Sequence, residues 1–130
     1  MSKMYFSGSF DARETIQAHA KEFVDRSYGT VTSNWLLEPE VRVIDDGRED
    51  WVLRARANED RIDGERSDAV IVFTDTPSTT GGRHVEVGIA LAHRIPVFVI
   101  GPRENVFHYP SDVRQYPTWE SFLQGEFGAF

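Results

Sequence analysis

A doubly wound α/β domain with a parallel sheet of four or five strands is the fold this sequence predicts. Three observations carry that expectation. Apolar, strand-like runs alternate with helix-like stretches in the order β-α-β-α-β-α-β. Ala69-Val70-Ile71-Val72-Phe73 is apolar at every position, which marks a strand covered on both faces, and Pro96 to Gly101 repeats the pattern. The 130 residues are the length of one domain, 1–130, and hold no internal repeat.

Each element can be justified in turn. Lys3 to Phe6 is a short apolar strand, and Ser7-Gly8-Ser9-Phe10-Asp11 is the turn that leaves it. Asp11 and Glu14 have capping-box spacing, so a helix is expected to begin near Ala12. Ala12, Ile16, Ala20, Phe23 and Val24 recur at helical spacing and make its buried stripe. The stripe runs out near Tyr28-Gly29, where the glycine suits a helix C-terminal cap. Thr30 to Trp35 alternates in a β-prone way and reads as the second strand. Leu36 to Gly47 carries little pattern; Glu38-Pro39 disfavours helix, and Asp45-Asp46-Gly47-Arg48 reads as a turn. Asp50 to Arg66 is mostly helix formers, with Trp51, Ala55 and Ile62 able to face a core. After the central strand comes a polar loop, Thr74 to Gly82, and then a helix from about Arg83 to His93 that should turn Val85, Ile89 and Ala92 inward. Arg103 to Gln115 reads as irregular with a short strand near Val106-Phe107, and Thr118 to Leu123 as a final helical turn or two. Such βαβ units are right-handed, so the domain is of Rossmann or flavodoxin-like type. Ligands bind these sheets at the carboxyl ends of the strands. Here that means the loops Ser7 to Asp11, Thr74 to Gly82, and Gly101 onward.

Composition narrows the function. Fourteen Lys and Arg stand against 21 Asp and Glu, a net charge of −7, which argues against a binder of nucleic-acid polymers. Small nucleotides need only a local pocket and stay open. The absence of cysteine removes disulfides, thiolate nucleophiles and Cys-ligated metal. No apolar run approaches membrane-spanning length and no signal segment is visible at the start, so a cytoplasmic protein without membrane partners is expected.

The loops hold three groups of candidate residues. Gly81-Gly82-Arg83-His84-Val85-Glu86-Val87-Gly88 puts Glu86 in the first turn of a helix, where the dipole favours an ionised carboxylate. A positioned carboxylate can attack a sugar C1′; a surface acid that only complements the dipole has the same position. Asp60 lies eight residues before Asp68, on the helix that leads into the central strand, so its side chain can face the sheet's carboxyl end or simply be solvated. In Tyr5-Phe6-Ser7-Gly8-Ser9 the glycine permits close backbone approach to a ligand and two hydroxyls flank it, although a plain turn would look the same. Spaced dinucleotide glycines and a P-loop are both missing. His19, His84, His93 and His108 have no metal-ligand spacing, and no nucleophile-elbow serine is present.

In combination these segments resemble the nucleoside 2-deoxyribosyltransferase family, with the related 2′-deoxynucleoside 5′-monophosphate N-glycosidases. Tyr5-Phe6-Ser7-Gly8-Ser9 is similar to the family's opening Tyr-Phe-x-Gly segment. Asp60, Asp68 and the strand Ala69 to Phe73 resemble its Asp-helix-Asp-strand block. Gly82 to Gly88 resembles its Gly-x-x-x-Glu-Leu/Val-Gly block, and the match spans about residues 3 to 105. The resemblance implies that Glu86 is the nucleophile, that Asp60 contacts base or sugar and moves a proton, and that Tyr5 orients Glu86. It implies substrate contacts near Ser7, Gly8, Ser9, Phe10, Asp75, Gly82, Arg83 and His84, with Trp35 available to stack on a base or to serve as core. Asn105 resembles an asparagine that reaches a neighbouring subunit's site, which implies a homo-oligomer, at least a dimer. The implied reaction is transfer of 2-deoxyribose between nucleobases through a covalent sugar-glutamate intermediate, with retention and without metal or organic cofactor. Hydrolysis of 2′-deoxynucleosides or their 5′-monophosphates is the second reading. A non-catalytic nucleotide-binding module is the reading from another class.

Overall fold

The computed structural model describes residues 2–37, 50–77 and 81–128. The expected turn at 45–48 and the side chain of Trp51 lie outside the described residues. The strands are β1 (Ser2–Ser7), β2 (Gly29–Val31), β3 (Ala69–Phe73), β4 (Val97–Ile100) and β5 (Val113–Tyr116). The helices are α1 (Arg13–Asp25), α2 (Asp50–Glu65), α3 (Gly82–Ala92) and α4 (Trp119–Phe127). All pairings are parallel, in the order β2-β1-β3-β4-β5, so the doubly wound α/β expectation holds with five strands. The order reverses between β1 and β3, where Ser7 pairs with Val72, and it is at such a switch point that sheets of this kind bind ligands.

Alternation along β1 divides the core. Phe6 points to one face and joins Phe23 of α1, Phe73 and Trp119 of α4, with ring centres 5.7 Å from each. His19 of α1 stacks on Trp119 at 4.7 Å. Tyr5 and Ser7, two residues apart, share the opposite face with α2 and α3.

Several local expectations are corrected. The Asp11 and Glu14 pair does not start α1. A 3-10 turn, Phe10–Ala12, precedes the helix, and the Ser9 hydroxyl caps it by accepting from the Asp11 N–H. Gly29 does not cap α1 but opens β2. A Cβ there would stand 2.5 Å from the Ser2 carbonyl, and the left-handed exit from α1 falls on Ser27, φ 61°. The second strand stops at Val31, because Ser33 and Trp35 bind the backbone of Phe6 through their side chains and carry the chain into a 3-10 turn, Asn34–Leu37. Val24 is exposed, leaving Ile16 and Phe23 as the buried positions of α1. In α3 the buried stripe is Arg83, Val87 and Ala90; Val85 is 63% exposed and Ala92 also faces water. The stripe is rotated because the Arg83 guanidinium is drawn inward to the carbonyls of Phe73 and Thr76. On α2, among the described side chains, Ala55 and Ile62 face outward while Glu59, Asp60 and Asp63 are half-buried.

At the C-terminal end, Val106–His108 is a 3-10 turn and not a strand, since the Asn105 side chain accepts from the Phe107 N–H and caps it. The fifth strand follows at Val113-Arg114-Gln115-Tyr116, where two polar residues hid its pattern. α4 runs to Phe127, longer than expected, with a Thr118 and Ser121 capping box at its start and left-handed Gly128 closing it.

Candidate active site

The carboxyl group of Glu86 is the centre of the site. The Tyr5 hydroxyl donates to its Oε2, and the Ser7 hydroxyl donates to Oε1 at 2.6 Å. Both hydroxyls come from one face of β1 at the switch point, and Glu86 comes from α3 above that face. The strand's two-residue period is what aims both at one carboxyl. Asp60 of α2 adds its charge, which raises the pKa values of both Tyr5 and Glu86. Sequence blocks 5–7, 60 and 86 thus meet in space.

The charge state differs from the dipole expectation. Glu86 is the fifth residue of α3, past the first turn. Burial pushes its pKa up to about 7, and the charge of Asp60 pushes the same way. The hydrogen bonds from Ser7 and Tyr5 pull it down without cancelling the burial. Burial, with the nearby Glu86 and Asp60 carboxylates, pushes the Tyr5 phenol far above its ordinary value, so Tyr5 is a hydrogen-bond donor at any physiological pH.

The first loop is largely engaged within the chain. Ser9 caps the 3-10 turn, and Arg13 donates through Nε and Nη2 to the Leu36 carbonyl while stacking 5.1 Å over the Phe10 ring. A Cβ on Gly8 would lie 2.6 Å from Ile16 Cδ1, so a larger residue here would have to displace the tip of that buried side chain. Trp35 is buried, donates its indole N–H to the Phe6 carbonyl at 2.6 Å and packs against Phe10. Its surroundings fit the core reading and not base stacking.

Other candidates separate from the centre. Arg83 is buried, with its guanidinium on the carbonyls of Phe73 and Thr76 and on the Glu104 carboxylate. It ties the exit of β3 to the exit of β4. Gly82 opens α3 and is exposed, and Asp75 is exposed beyond β3. His84 Nδ1 lies 3.2 Å from Asn105 Nδ2, beside buried His108. Glu86 projects roughly 160° round α3 from His84, so this pair lies off the Glu86 side. Sequence reading missed the direct bond of Ser7 to Glu86, which the i, i+2 spacing of Tyr5 and Ser7 foreshadows. It also missed Ser33, Glu104 and His108, which carry no local signal.

No protein-family model matches the chain, and no curated protein matches it in sequence. Solved structures share its fold. A 2-deoxyribosyltransferase from Bacillus psychrosaccharolyticus is 18% identical with a TM-score of 0.69, covering 98% of this chain and 94% of its own. The CMP N-glycosidase BcmB of Clostridium botulinum is 16% identical with a TM-score of 0.61, over 95% and 96% of the two chains. A conserved protein from Enterococcus faecalis V583 is 14% identical with a TM-score of 0.64, again over 95% and 96%. The fold is the one the sequence resemblance implied, along almost the whole length. No helix among the described residues is long and apolar enough to cross a membrane.

Proposed function

We propose that this chain is an enzyme of N-glycosidic bonds that transfers 2-deoxyribose between nucleobases. One observation carries the reading: a buried carboxyl at the switch point, held by two hydroxyls and faced by a second carboxylate. That constellation suits a retaining double displacement. A Glu86 oxygen bonds to C1′ as the C1′–N bond breaks, and Asp60 delivers a proton to the departing base. The incoming base then takes C1′ from Glu86 and returns its proton to Asp60. Tyr5 and Ser7 hold Glu86 in line, and the reactive form has Glu86 ionised and the proton on Asp60. The likeness to a deoxyribosyltransferase and to an N-glycosidase supports this bond type.

Free nucleosides are the proposed substrates. A 5′-phosphate needs donors directed at it, whereas the Ser7 hydroxyl donates to Glu86 and Arg13 directs Nε and Nη2 to the Leu36 carbonyl. Hydrolysis is the second reading, favoured by the fold shared with the CMP N-glycosidase. The enzyme is further a homo-oligomer, at least a dimer, in which residues 103–115 lie against a neighbour's Glu86 pocket. Exposed Val106, Phe107 and Tyr109 support this, as does the placing of Asn105 off the side of α3 that carries its own Glu86. Incubation with deoxyadenosine and excess cytosine tests the function. Deoxycytidine marks transfer and free adenine alone marks hydrolysis. Neither product, with binding intact, makes the chain a nucleotide-binding module and overturns the proposal.

A further inference from the structure

His84 and Asn105 line a cavity of about 320 Å³ between α3 and the 3-10 turn at Val106–His108. Val85 and Gly88 wall it from α3, and Phe107 and His108 from the turn. His84 and Gly88 lie one turn apart on α3, and Glu86 projects roughly 160° away from both. The Glu86 carboxyl goes instead to Tyr5 and Ser7, so the cavity is a separate space.

Two independent features mark it as shaped for an occupant. The first is His108, which is fully buried. Its Nδ1 accepts the Glu104 N–H at 3.0 Å, which places the ring's proton on Nε2. Nε2 is enclosed and has no hydrogen-bond partner among the described residues, although buried donors are nearly always paired. Burial, helped by Arg83, Arg103 and His84 against Glu104, lowers its pKa, so the ring is a neutral single donor. The second is Gly88. It lies inside α3, where glycine weakens a helix, and a Cβ there would meet nothing within 4 Å. No packing among the described residues calls for glycine, and its bare backbone leaves open space on the cavity side.

We propose that this cavity is a second binding site, for a flat, uncharged nitrogen heterocycle of nucleobase size that accepts the His108 Nε2 proton. Its faces lie against Val85 and Phe107. The volume is at the small end for ligand pockets, about 300–1,000 Å³. An anion is disfavoured, since Arg83 is engaged by Glu104 and two carbonyls. The half-exposed His84 ring is centred 6.0 Å from that of His108, at the edge of the same cavity. The site shares His84 and Asn105 with the proposed reaction and does not use the Glu86 carboxyl.

Adenine is the probe, titrated into chain with ¹⁵N-labelled histidine while the His108 Nε2 resonance is followed. A saturable shift is expected in wild type and equally in Glu86→Ala. Gly88→Leu, which fills the cavity, weakens the response at least tenfold. Phe107→Ala, which removes one wall, weakens it at least threefold. No shift in wild type, or a shift that survives Gly88→Leu, overturns the site. So does a Gly88→Leu chain that loses its oligomeric state while adenine leaves His108 unmoved, because the occupant is then a second copy. Failure of the proposed reaction appears only in the nucleoside products and leaves the His108 response in place.

Discussion

At Glu86, burial and hydrogen bonding pull the charge in opposite directions, and burial prevails. The linkage sign follows from the raised pKa. Between the ordinary carboxylate value of 4.5 and about 7 the folded chain holds a proton that the unfolded chain has released. Stability from this group is therefore complete below 4.5 and lost as pH rises through 7. Glu86→Gln should flatten that slope and stabilise the chain at pH 8 by up to about 3 kcal/mol, read by urea unfolding across pH, while abolishing turnover. A Glu86→Gln chain with the wild-type pH slope would remove burial as the cause. Turnover needs ionised Glu86, so kcat/KM should rise with pH through about 7. Tyr5→Phe deletes a bond that lowers this pKa, and its acid limb should move to higher pH. An unmoved limb would show that the titrating group is not Glu86. Asp60→Asn should slow the reaction by about 10²–10⁴-fold, most for poor leaving groups. Equal losses on activated and natural substrates would assign Asp60 to binding.

At the scale of elements, α2 and the strand exits position the chemistry. On α2, half-buried Asp60 sets its charge beside Tyr5 and Glu86, while Ala55 and Ile62 face water. The exits of β3 and β4 are locked together. The Thr74 hydroxyl donates to the Pro102 carbonyl at 2.6 Å, and Arg83 joins Thr76 to Glu104. Gly101 stands at this junction with φ 119°, and a Cβ would lie 2.9 Å from the Asp75 amide nitrogen. Gly101→Ala should therefore destabilise by about 1–3 kcal/mol through strain at a left-handed position. Thermal unfolding within error of wild type would show that the loop gives way freely.

At the scale of the molecule, the exposed apolar residues of segment 103–115 and the site at Glu86 lie on separate sides of α3, which is why the proposed assembly joins one copy's segment to another's site. Sedimentation at micromolar concentration should give a dimer or larger. A fully active 14.8 kDa monomer would end that proposal. Mixing inactive Glu86→Ala with inactive Asn105→Ala chains should restore part of the activity if sites are shared, and none if each chain is self-contained.

The sequence by itself determined the alternation of elements, the two buried central strands and the ordered blocks around Tyr5, Asp60 and Glu86. These are written in local periodicity: an unbroken apolar run such as Ala69–Phe73 has few folds open to it. Tertiary structure alone decided which way each helix faces and what each polar side chain touches. Val85 looked inward by periodicity, yet the pull of two carbonyls on Arg83 rotates α3 and leaves Val85 in water. Glu86 looked ionised by its place near a helix start, yet its protonation is set by burial among Tyr5, Ser7 and Asp60, which are 26 to 81 positions away in the chain. Helix rotation and pKa are sums over neighbours distant in sequence, so no local pattern records them.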